Sequence, residues 1–173
     1  MVKVGILSDT HGQVDDKVLK FFESCDQIWH CGDIGSPEVI NQLQKIAPVF
    51  AVYGNIDGQN IRIDHPLFQS FQVEKVKTLF LHIGGYPGRY TPEARELIAQ
   101  HKPKIFLAGH SHILKVIYDK KNDLLFVNPG AAGFSGFHIV RTAVRLTIDG
   151  EKLKDLEVGE WPRRQVVDYS PEG

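Results

Sequence analysis

Five short segments of this 173-residue chain carry side chains that could bind metal ions, and each follows an apolar run. The segments are SDTH at residues 8–11, GD at 32–33, GN at 54–55, LH at 81–82 and GHSH at 109–112. Their candidate metal ligands are Asp9, His11, Asp33, Asn55, His82, His110 and His112. All of these side chains offer oxygen or nitrogen atoms, so the set requires no thiolate.

This donor set is too large for one four-coordinate structural zinc ion, but it suits two divalent ions that share a bridging group. An aspartate has two carboxylate oxygens and can bridge two ions, whereas an imidazole nitrogen cannot. Asp33 lies in the middle of the set and is the predicted bridge. Two ions about 3.5–4 Å apart can hold a hydroxide between them as the nucleophile and can clamp the oxygens of a phosphoryl group.

The formal charge of such a centre favours an anionic substrate. Two divalent ions, less the charges of Asp9, Asp33 and a bridging hydroxide, leave a centre of about +1. Asn55 would coordinate through a neutral oxygen and so preserve this surplus, which an aspartate at that position would cancel. We therefore predict a centre that attracts a phosphoester, with catalytic roles for Asp33, Asn55 and His82.

The first third of the chain alternates between strands and helices, which predicts a mainly parallel sheet. The predicted strands cover residues 2–7, 27–31 and 48–53, and the helices between them cover 14–24 and a segment that begins with Ser36 as N-cap and Pro37 as first residue. Loops at the carboxyl ends of parallel strands converge on one crevice, which would bring the ligands together. In an extended segment residues i and i+2 share a face, so Asp9 and His11 should point together, as should His110 and His112.

The rest of the chain predicts a second sheet and paired strands. The predicted elements are strands at residues 67–73, 76–83 and 104–108, a helix from Thr91-Pro92 to about residue 101, and hairpins that pair 113–118 with 124–127 and 141–148 with 152–158. We expect two sheets packed face to face with helices outside. One domain over residues 1–160 is predicted, with residues 161–173 as a C-terminal tail.

Composition excludes several classes of protein. The net charge is −1, from 20 basic and 21 acidic residues, so binding to a nucleic-acid duplex or to a membrane surface is not expected. The two cysteines, Cys25 and Cys31, do not form a disulfide framework, which favours a cytoplasmic location. The apolar run at residues 2–7 is too short for a membrane span or a signal peptide.

The five ligand segments, in their order along the chain, resemble those of the calcineurin-like metallophosphoesterases. The closest resemblance is to the small, single-domain YfcE-type phosphodiesterases of that family, and it extends from Val2 to about Val158. The sequence NPG at residues 128–130 is similar to a further segment of this subgroup. A single D-x-H or H-x-H motif would be weak evidence, but five segments in order, each after a predicted strand, are specific.

The resemblance implies a four-layer αββα sandwich of two mixed sheets flanked by helices, and a dinuclear metal centre. It assigns Asp9, His11, Asp33 and His112 to one ion, and Asp33, Asn55, His82 and His110 to the other. Members of the family commonly use manganese, and iron, nickel or zinc are also found. The implied activity is hydrolysis of a phosphodiester in a small phosphoester substrate.

The sequence departs from the family pattern after Asn55. The wider family usually has a histidine there, which is thought to protonate the leaving oxygen or stabilise the transition state, and the YfcE-type subgroup often has a cysteine. This chain has Ile56, which can do neither. The loss of a general acid costs about 10²–10⁴-fold in rate when the leaving group needs a proton. Ile83 and Ala131 also replace a frequent glycine and a frequent serine.

Other polar residues have less specific patterns. Asp57 is predicted to support a turn or the ligands rather than to bind metal. Arg89, in a glycine-rich loop, and Asn128 are weak candidates for substrate binding. His65, His101 and His138 lack partner motifs, and structural or solvated positions are expected for them.

Two alternatives to a phosphodiesterase remain open at this stage. The retromer subunit with this fold is a protein-interaction scaffold that has lost several site residues; here all seven candidate ligands are present, but the residue at position 56 is not a histidine. A phosphomonoesterase would use the same centre, but the dianionic substrate would need further cationic groups, of which only Arg89 is visible nearby in sequence. The sequence leaves homo-oligomerisation open.

Overall fold

Two five-stranded β-sheets form the middle of the molecule in the computed structural model, which describes residues 1–164. In chain order the elements are β1 (Val2–Leu7), α1 (Asp16–Phe22), β2 (Gln27–His30), α2 (Pro37–Gln44), β3 (Val49–Ala51), α3 (Gln59–Arg62), β4 (Phe68–Val73), β5 (Val76–Leu81), α4 (Pro92–His101), β6 (Ile105–Leu107), β7 (Leu114–Asp119), β8 (Leu124–Pro129), β9 (Val140–Asp149) and β10 (Lys152–Pro162). The sheet orders are β10-β9-β1-β2-β3 and β4-β5-β6-β8-β7.

Three apolar clusters separate the four layers. One cluster packs α1 and α2 on the first sheet, and a second, which contains Trp29 and Phe80, fills the space between the sheets. The third packs α4, through Leu97 and Ile98, on Phe106 and Phe126 of the second sheet. The predicted αββα sandwich of two mixed sheets is therefore confirmed.

Each sheet contains three neighbouring parallel strands. In the first sheet β1 and β2 are parallel, as are β2 and β3. In the second sheet β5, β6 and β8 are parallel neighbours. In the first sheet the antiparallel strands β10 and β9 lie on one side of β1, and β3 is the opposite edge; in the second sheet the antiparallel strands β4 and β7 are the two edges. Each segment of candidate ligands directly follows one of the parallel strands, either β1, β2 or β3 in the first sheet or β5 or β6 in the second.

Most predicted elements are present, with shifted ends. The first helix begins at Asp16 rather than near Val14, because the side chain of Asp15 accepts a hydrogen bond from the Val18 amide and caps it. Ser36 caps α2, and Thr91 caps α4 as the sequence suggested. The short helix α3 was not predicted. No helix in the residues that the structure describes is long and apolar enough to cross a membrane.

The last strand extends into the predicted tail. β10 continues through Pro162, and Trp161 packs edge-on against Phe21 of α1. Trp161 therefore belongs to the packed structure, although its sequence neighbourhood resembled a tail. Residues 165–173 of that tail lie outside the described part of the chain.

A buried arginine ties three distant segments together beside this tryptophan. Arg141 is 2% exposed, and its guanidinium donates to the Asp15 carboxylate at 2.9 Å and to the carbonyls of Ala132 and Pro162. The same group lies over the ring of Phe134, 4.1 Å from its centre. This one side chain thus joins the cap of α1, the loop after β8 and the end of β10.

We expect Arg141→Met to lower the free energy of unfolding by about 2–4 kcal/mol, because it leaves Asp15 and two carbonyls without their donor. Urea denaturation measures this change. Arg95→Met is the matched control, since Arg95 is exposed on α4, and its effect should stay within about 0.5 kcal/mol. Equal effects of the two substitutions would contradict the role given to Arg141.

Candidate metal centre

The loops that carry the candidate ligands are joined by hydrogen bonds. The Asp9 amide donates to the Gly32 carbonyl and the His11 amide donates to the Asp33 carbonyl, both at 3.0 Å. Across the two sheets, the His110 amide donates to Asp9 Oδ2, also at 3.0 Å. The first and second sheets therefore meet at this point, and the ligand side chains converge between them.

The backbone at five of the ligands is left-handed, with φ between 48° and 72°. These residues are Asp9, His11, Asp33, His110 and His112. The prediction that residues 9–11 and 110–112 are extended was therefore wrong, although the side chains of Asp9 and His11 do come together. Non-glycine residues rarely adopt this conformation, and its occurrence at a cluster of ionisable side chains is typical of a functional site.

Two glycines allow the loops to approach each other closely. A Cβ atom at Gly54 would overlap the carboxylate and amide of Asp33, and a Cβ atom at Gly109 would overlap the hydroxyl of Ser8. Neither glycine has a positive φ, so both are needed for space rather than for a sharp turn.

The ionisable candidate ligands form two groups, each with ligand atoms within 4.8 Å of one another. Asp9, His11 and His112 form the first group, and Asp33, His82 and His110 form the second. His110 and His112, although two residues apart, belong to different groups. The structure thus contains two candidate metal sites.

Asp33 lies between the two groups. Its Oδ2 atom is 3.6 Å from His11 Nε2 of the first group, and its Oδ1 atom is 3.3 Å from His82 Nε2 of the second. The amide of Ile56 donates to the same Oδ1 atom at 3.1 Å and fixes the carboxylate in place. The two oxygens of Asp33 therefore face different groups: Oδ2 faces the first group and Oδ1 faces the second.

Asn55 adds a neutral oxygen to the second group. Its Oδ1 atom is 3.0 Å from Nδ1 of His110. Unlike the buried aspartates, Asn55 and His110 are exposed, so they form the solvent-facing side of the second group. All seven side chains predicted as ligands are therefore found in one place.

The hydrogen bonds of two histidines show which ring nitrogen is free. His82 Nδ1 is 2.7 Å from the Cys31 carbonyl, which can only accept, so this nitrogen carries the proton. His138 Nε2 likewise donates to the Gly133 carbonyl at 2.8 Å, which leaves its Nδ1 to accept from Nδ1 of His112 at 3.2 Å. In the neutral rings of His82 and His112 the Nε2 lone pairs consequently point into the site.

These lone pairs face carboxylate oxygens without a hydrogen bond. His112 Nε2 is 3.2 Å from Asp9 Oδ1, and Asp9 Oδ1, His11 Nε2 and His82 Nε2 are buried atoms with no hydrogen-bond partner. Two ligands bound to one ion at 2.0–2.2 Å lie about 3–3.5 Å apart. The separations and the unpartnered atoms therefore fit divalent cations, which would contact these atoms directly.

The pKa values of the buried groups reflect the same crowding. Burial raises the pKa of Asp9, but its contacts with His11, His112 and Ser8 lower the pKa by more than burial raises it. The pKa of Asp9 therefore lies well below its usual range. Burial lowers the pKa of His82, but Asp33 and Asp9 raise it above its usual value. The site thus holds ionised carboxylate and favours positive charge next to it, whether from a proton or from a metal ion.

Asp57 and Asn128 hold the ligand loops by hydrogen bonds. The carboxylate of Asp57 accepts from the amides of Ile34, Gly35 and Gly54, and so joins the loops after β2 and β3. Asn128 is buried; its amide group donates to Gly109 and Ser111, and its oxygen accepts from the Gly130 amide. These contacts give Asn128 a positioning role for the loop of His110.

Arg89 lies on the exposed glycine-rich loop. A cavity of about 360 Å³ runs beside His110 and Ser111, and the cation in its wall is Lys115. Sequence reasoning missed Lys115, because a lysine in a strand has no motif that distinguishes it from a surface lysine.

The sequence predicts a structural or solvated position for His138, which is far from every ligand motif, and the structure places its Nδ1 3.2 Å from Nδ1 of the candidate ligand His112. The only sequence signal of His138 is its place in the glycine-rich segment after NPG, which returns the chain to the site. His30 is fully buried and donates from Nε2 to Thr10 at 2.9 Å while its Nδ1 accepts from the Gly32 amide. Burial lowers the pKa of His30 to about 4, so this ring is a neutral support beneath the ligand loops.

Sequence comparison identifies the family. The model of the calcineurin-like phosphoesterase superfamily domain matches residues 2–151. A probable metallophosphoesterase from Methanothermobacter thermautotrophicus is 30% identical over 160 residues, which cover 90% of this chain and 90% of the relative. The chain therefore belongs to the calcineurin-like phosphoesterase superfamily, as the sequence motifs predicted.

Solved structures share the fold. Vps29 from Entamoeba histolytica, in complex with Zn²⁺, has a TM-score of 0.73 and 17% identity, covering 94% of this chain and 99% of that one. A predicted phosphoesterase from Streptococcus pneumoniae has a TM-score of 0.67 and 20% identity, covering 94% and 90%. At these identities the two structures show a common fold only.

We expect His138→Ala to weaken metal binding by about 10–100-fold, because His112 loses the acceptor that fixes its tautomer. Calorimetric titration with Mn²⁺ measures the affinity. His138→Asn should restore most of it, since the asparagine oxygen can accept from His112 Nδ1. His101→Ala, outside the site, serves as the control. Unchanged affinity in His138→Ala would show that His138 does not support His112.

Proposed function

We propose that the protein is a phosphodiesterase that requires two divalent metal ions. The observation that carries this proposal is the position of Asp33, whose two oxygens face two separate groups of ligand atoms. Asp9, His11 and His112 would hold one ion together with Asp33, and His82, His110 and Asn55 would hold the other. When bound, the ions would supply Lewis acidity and an activated water for attack on phosphorus.

The protein groups around this centre have separate tasks. Asp9 and Asp33 would supply the negative charge that retains the ions. Because both side chains are buried, water screens their attraction to the ions less than it would at the surface. Ser8 and the His110 amide hold Asp9 Oδ2, which leaves Oδ1 for the ion. Asn55 and His110 lie at the exposed edge, where the phosphoryl group of a substrate would approach from solvent.

Charge favours a diester over a monoester. The formal surplus of about +1 matches the single negative charge of a diester better than the two charges of a monoester. Asp9 and Asp33 each contribute one negative charge to this count, and Asn55 contributes none. Lys115 lines a cavity that includes His110 but none of the other six candidate ligands, so its charge is not counted in this surplus.

The site offers no proton to the leaving oxygen from the position after Asn55. Ile56 is 47% exposed and contributes only its amide, which donates to Asp33. His30 is buried with both ring nitrogens engaged, and both oxygens of Asp57 accept backbone hydrogen bonds. Neither residue can replace the missing histidine, so leaving groups that are stable as anions should react best.

We also propose which metal ion and which kind of partner the protein binds. Manganese is the proposed ion, with iron, nickel and zinc as alternatives of similar ligand preference. The proposed partner is a small phosphoester in the cytoplasm rather than a nucleic-acid duplex or a membrane. A scaffold without catalysis is the alternative, and the complete set of ligand atoms is the argument against it.

Replacement of the bridging carboxylate tests the dinuclear arrangement. We expect Asp33→Ala to lose both ions and all measurable activity, because each ion loses a ligand, while circular dichroism shows a retained fold. Metal analysis of the purified variant gives the ion content. Asp64→Ala, at an exposed aspartate, is the control. Near-normal turnover of Asp33→Ala with added manganese would refute the shared-ligand assignment.

Substrate charge is tested with two aryl esters. Under the same metal conditions, bis(p-nitrophenyl) phosphate should be hydrolysed with a higher kcat/KM than p-nitrophenyl phosphate, because the centre carries little surplus charge. A clear preference for the monoester would make the protein a phosphomonoesterase. Absence of hydrolysis of either ester with manganese, iron, nickel or zinc would favour the scaffold.

The leaving group is tested with a series of aryl and alkyl phosphodiesters. Without a proton donor, kcat should fall steeply as the pKa of the leaving alcohol rises. Ile56→His should raise the rates of the poorest leaving groups by up to about 10²-fold and flatten the slope. Ile56→Val controls for the change of side chain. A shallow slope in the parent protein would mean that another group supplies the proton.

A further inference from the structure

Two cavities flank the loop that carries His110. The first, of about 360 Å³, is lined by Tyr86, Lys115 and Asn128, and the second, of about 490 Å³, by Phe137 and His138. His110, Ser111 and Ile113 lie in the wall of both. The loop therefore separates two spaces that both reach a candidate metal ligand.

A phosphodiester has two arms, and the two cavities differ in the chemistry that they offer to them. The second cavity presents the exposed ring of Phe137 and the side chain of Ile113, which suit an apolar or aromatic group. The first cavity contains the ammonium group of Lys115, together with the Ser111 hydroxyl. An enzyme with this arrangement would distinguish the two arms of an asymmetric substrate.

The Lys115 ammonium is held in position but is not neutralised. It lies over the ring of Tyr86, 3.6 Å from the ring centre. Lys104 and Lys154 each pair with an aspartate, but within residues 1–164 no carboxylate forms an ion pair with Lys115. A contact with an aromatic face leaves the N–H donors that point away from the ring free for a ligand.

The position of Lys115 also follows from the fold. It lies in β7, opposite Asn128 of β8, and Asn128 donates to the loop of His110. The side chain is half-buried, so its direction is restricted. The same pair of strands thus places the cation and holds the ligand loop next to it.

We infer that the cavity of Tyr86 and Lys115 binds an anionic group, a carboxylate or a further phosphate, on one arm of the phosphodiester substrate. This inference rests on the proposed function and adds a substrate class to it: a diester with a second negative charge beyond the reacting phosphoryl group. The opposite arm lies against Phe137.

A matched pair of probes tests the inference. They are p-nitrophenyl phenyl phosphate and its 3-carboxyphenyl analogue, which share a leaving group and differ by one carboxylate. The wild-type protein should hydrolyse the carboxylate probe with a kcat/KM about tenfold higher, as expected for a hydrogen bond between charged groups. In Lys115→Met, which keeps the length of the side chain, the ratio of the two values should fall to near one.

Lys120→Met is the control, because Lys120 is exposed in the turn after β7, and it should retain the wild-type ratio. A ratio near one in the wild-type protein, or a preference that survives in Lys115→Met, would overturn the inference. Hydrolysis of both probes at equal rates would leave the phosphodiesterase assignment intact.

If neither probe is hydrolysed, the proposed activity is wrong. Calorimetric measurement of the affinity for the same two probes then tests whether the cavity of Tyr86 and Lys115 binds an anion. Tighter binding of the carboxylate probe by about tenfold, lost in Lys115→Met, would support the anion site. Equal binding of both probes would reject it.

Discussion

Buried carboxylate oxygens that face imidazole nitrogens are the central constraint of this structure. Asp9 and Asp33 are removed from water, and the nearest polar atoms include ring nitrogens whose other side is already protonated. Ionised groups in such a place are costly unless an opposite charge lies close by. Divalent cations between these atoms would contact both kinds of ligand at once, including the buried atoms that have no hydrogen-bond partner.

Much of the fold serves to hold this arrangement. Parallel strands of both sheets end at the same edge, so short loops from five strands can reach one point. Left-handed backbone at five ligands and the missing side chains at Gly54 and Gly109 let these loops pack against one another. Asp57, Asn128 and His30 then fix the loops from beneath. The local strain is offset by these hydrogen bonds and by three apolar clusters.

The sequence predicted the sandwich and the seven side chains that converge, because apolar runs mark buried strands and ligand types recur directly after them. It did not predict the conformation of the ligand loops. A left-handed residue such as Asp33 is imposed by contacts between loops that are distant in sequence, and the motif itself has no sign of it. The helix start at Asp16 differed for a similar reason, since the Asp15 cap also binds Arg141, 126 residues further along the chain.

Residues that act through a neighbour were the hardest to predict. His138 and Lys115 have no motif, and they gain a role only because the fold places them beside His112 and His110. Arg89 had the favourable motif, a glycine-rich loop, but it is exposed while Lys115 provides the cation in the cavity wall. The charged side chains at a site thus depend on which strand lies beside it. Short sequence motifs do not contain that information.

The most direct test of the account is a crystal structure of the protein grown with Mn²⁺, with anomalous scattering recorded at the manganese absorption edge. We expect two anomalous peaks per chain, one beside each oxygen of Asp33. The first should be coordinated by Asp9, His11 and His112, and the second by Asn55, His82 and His110. A single peak, or two peaks that do not share Asp33, would contradict the dinuclear centre.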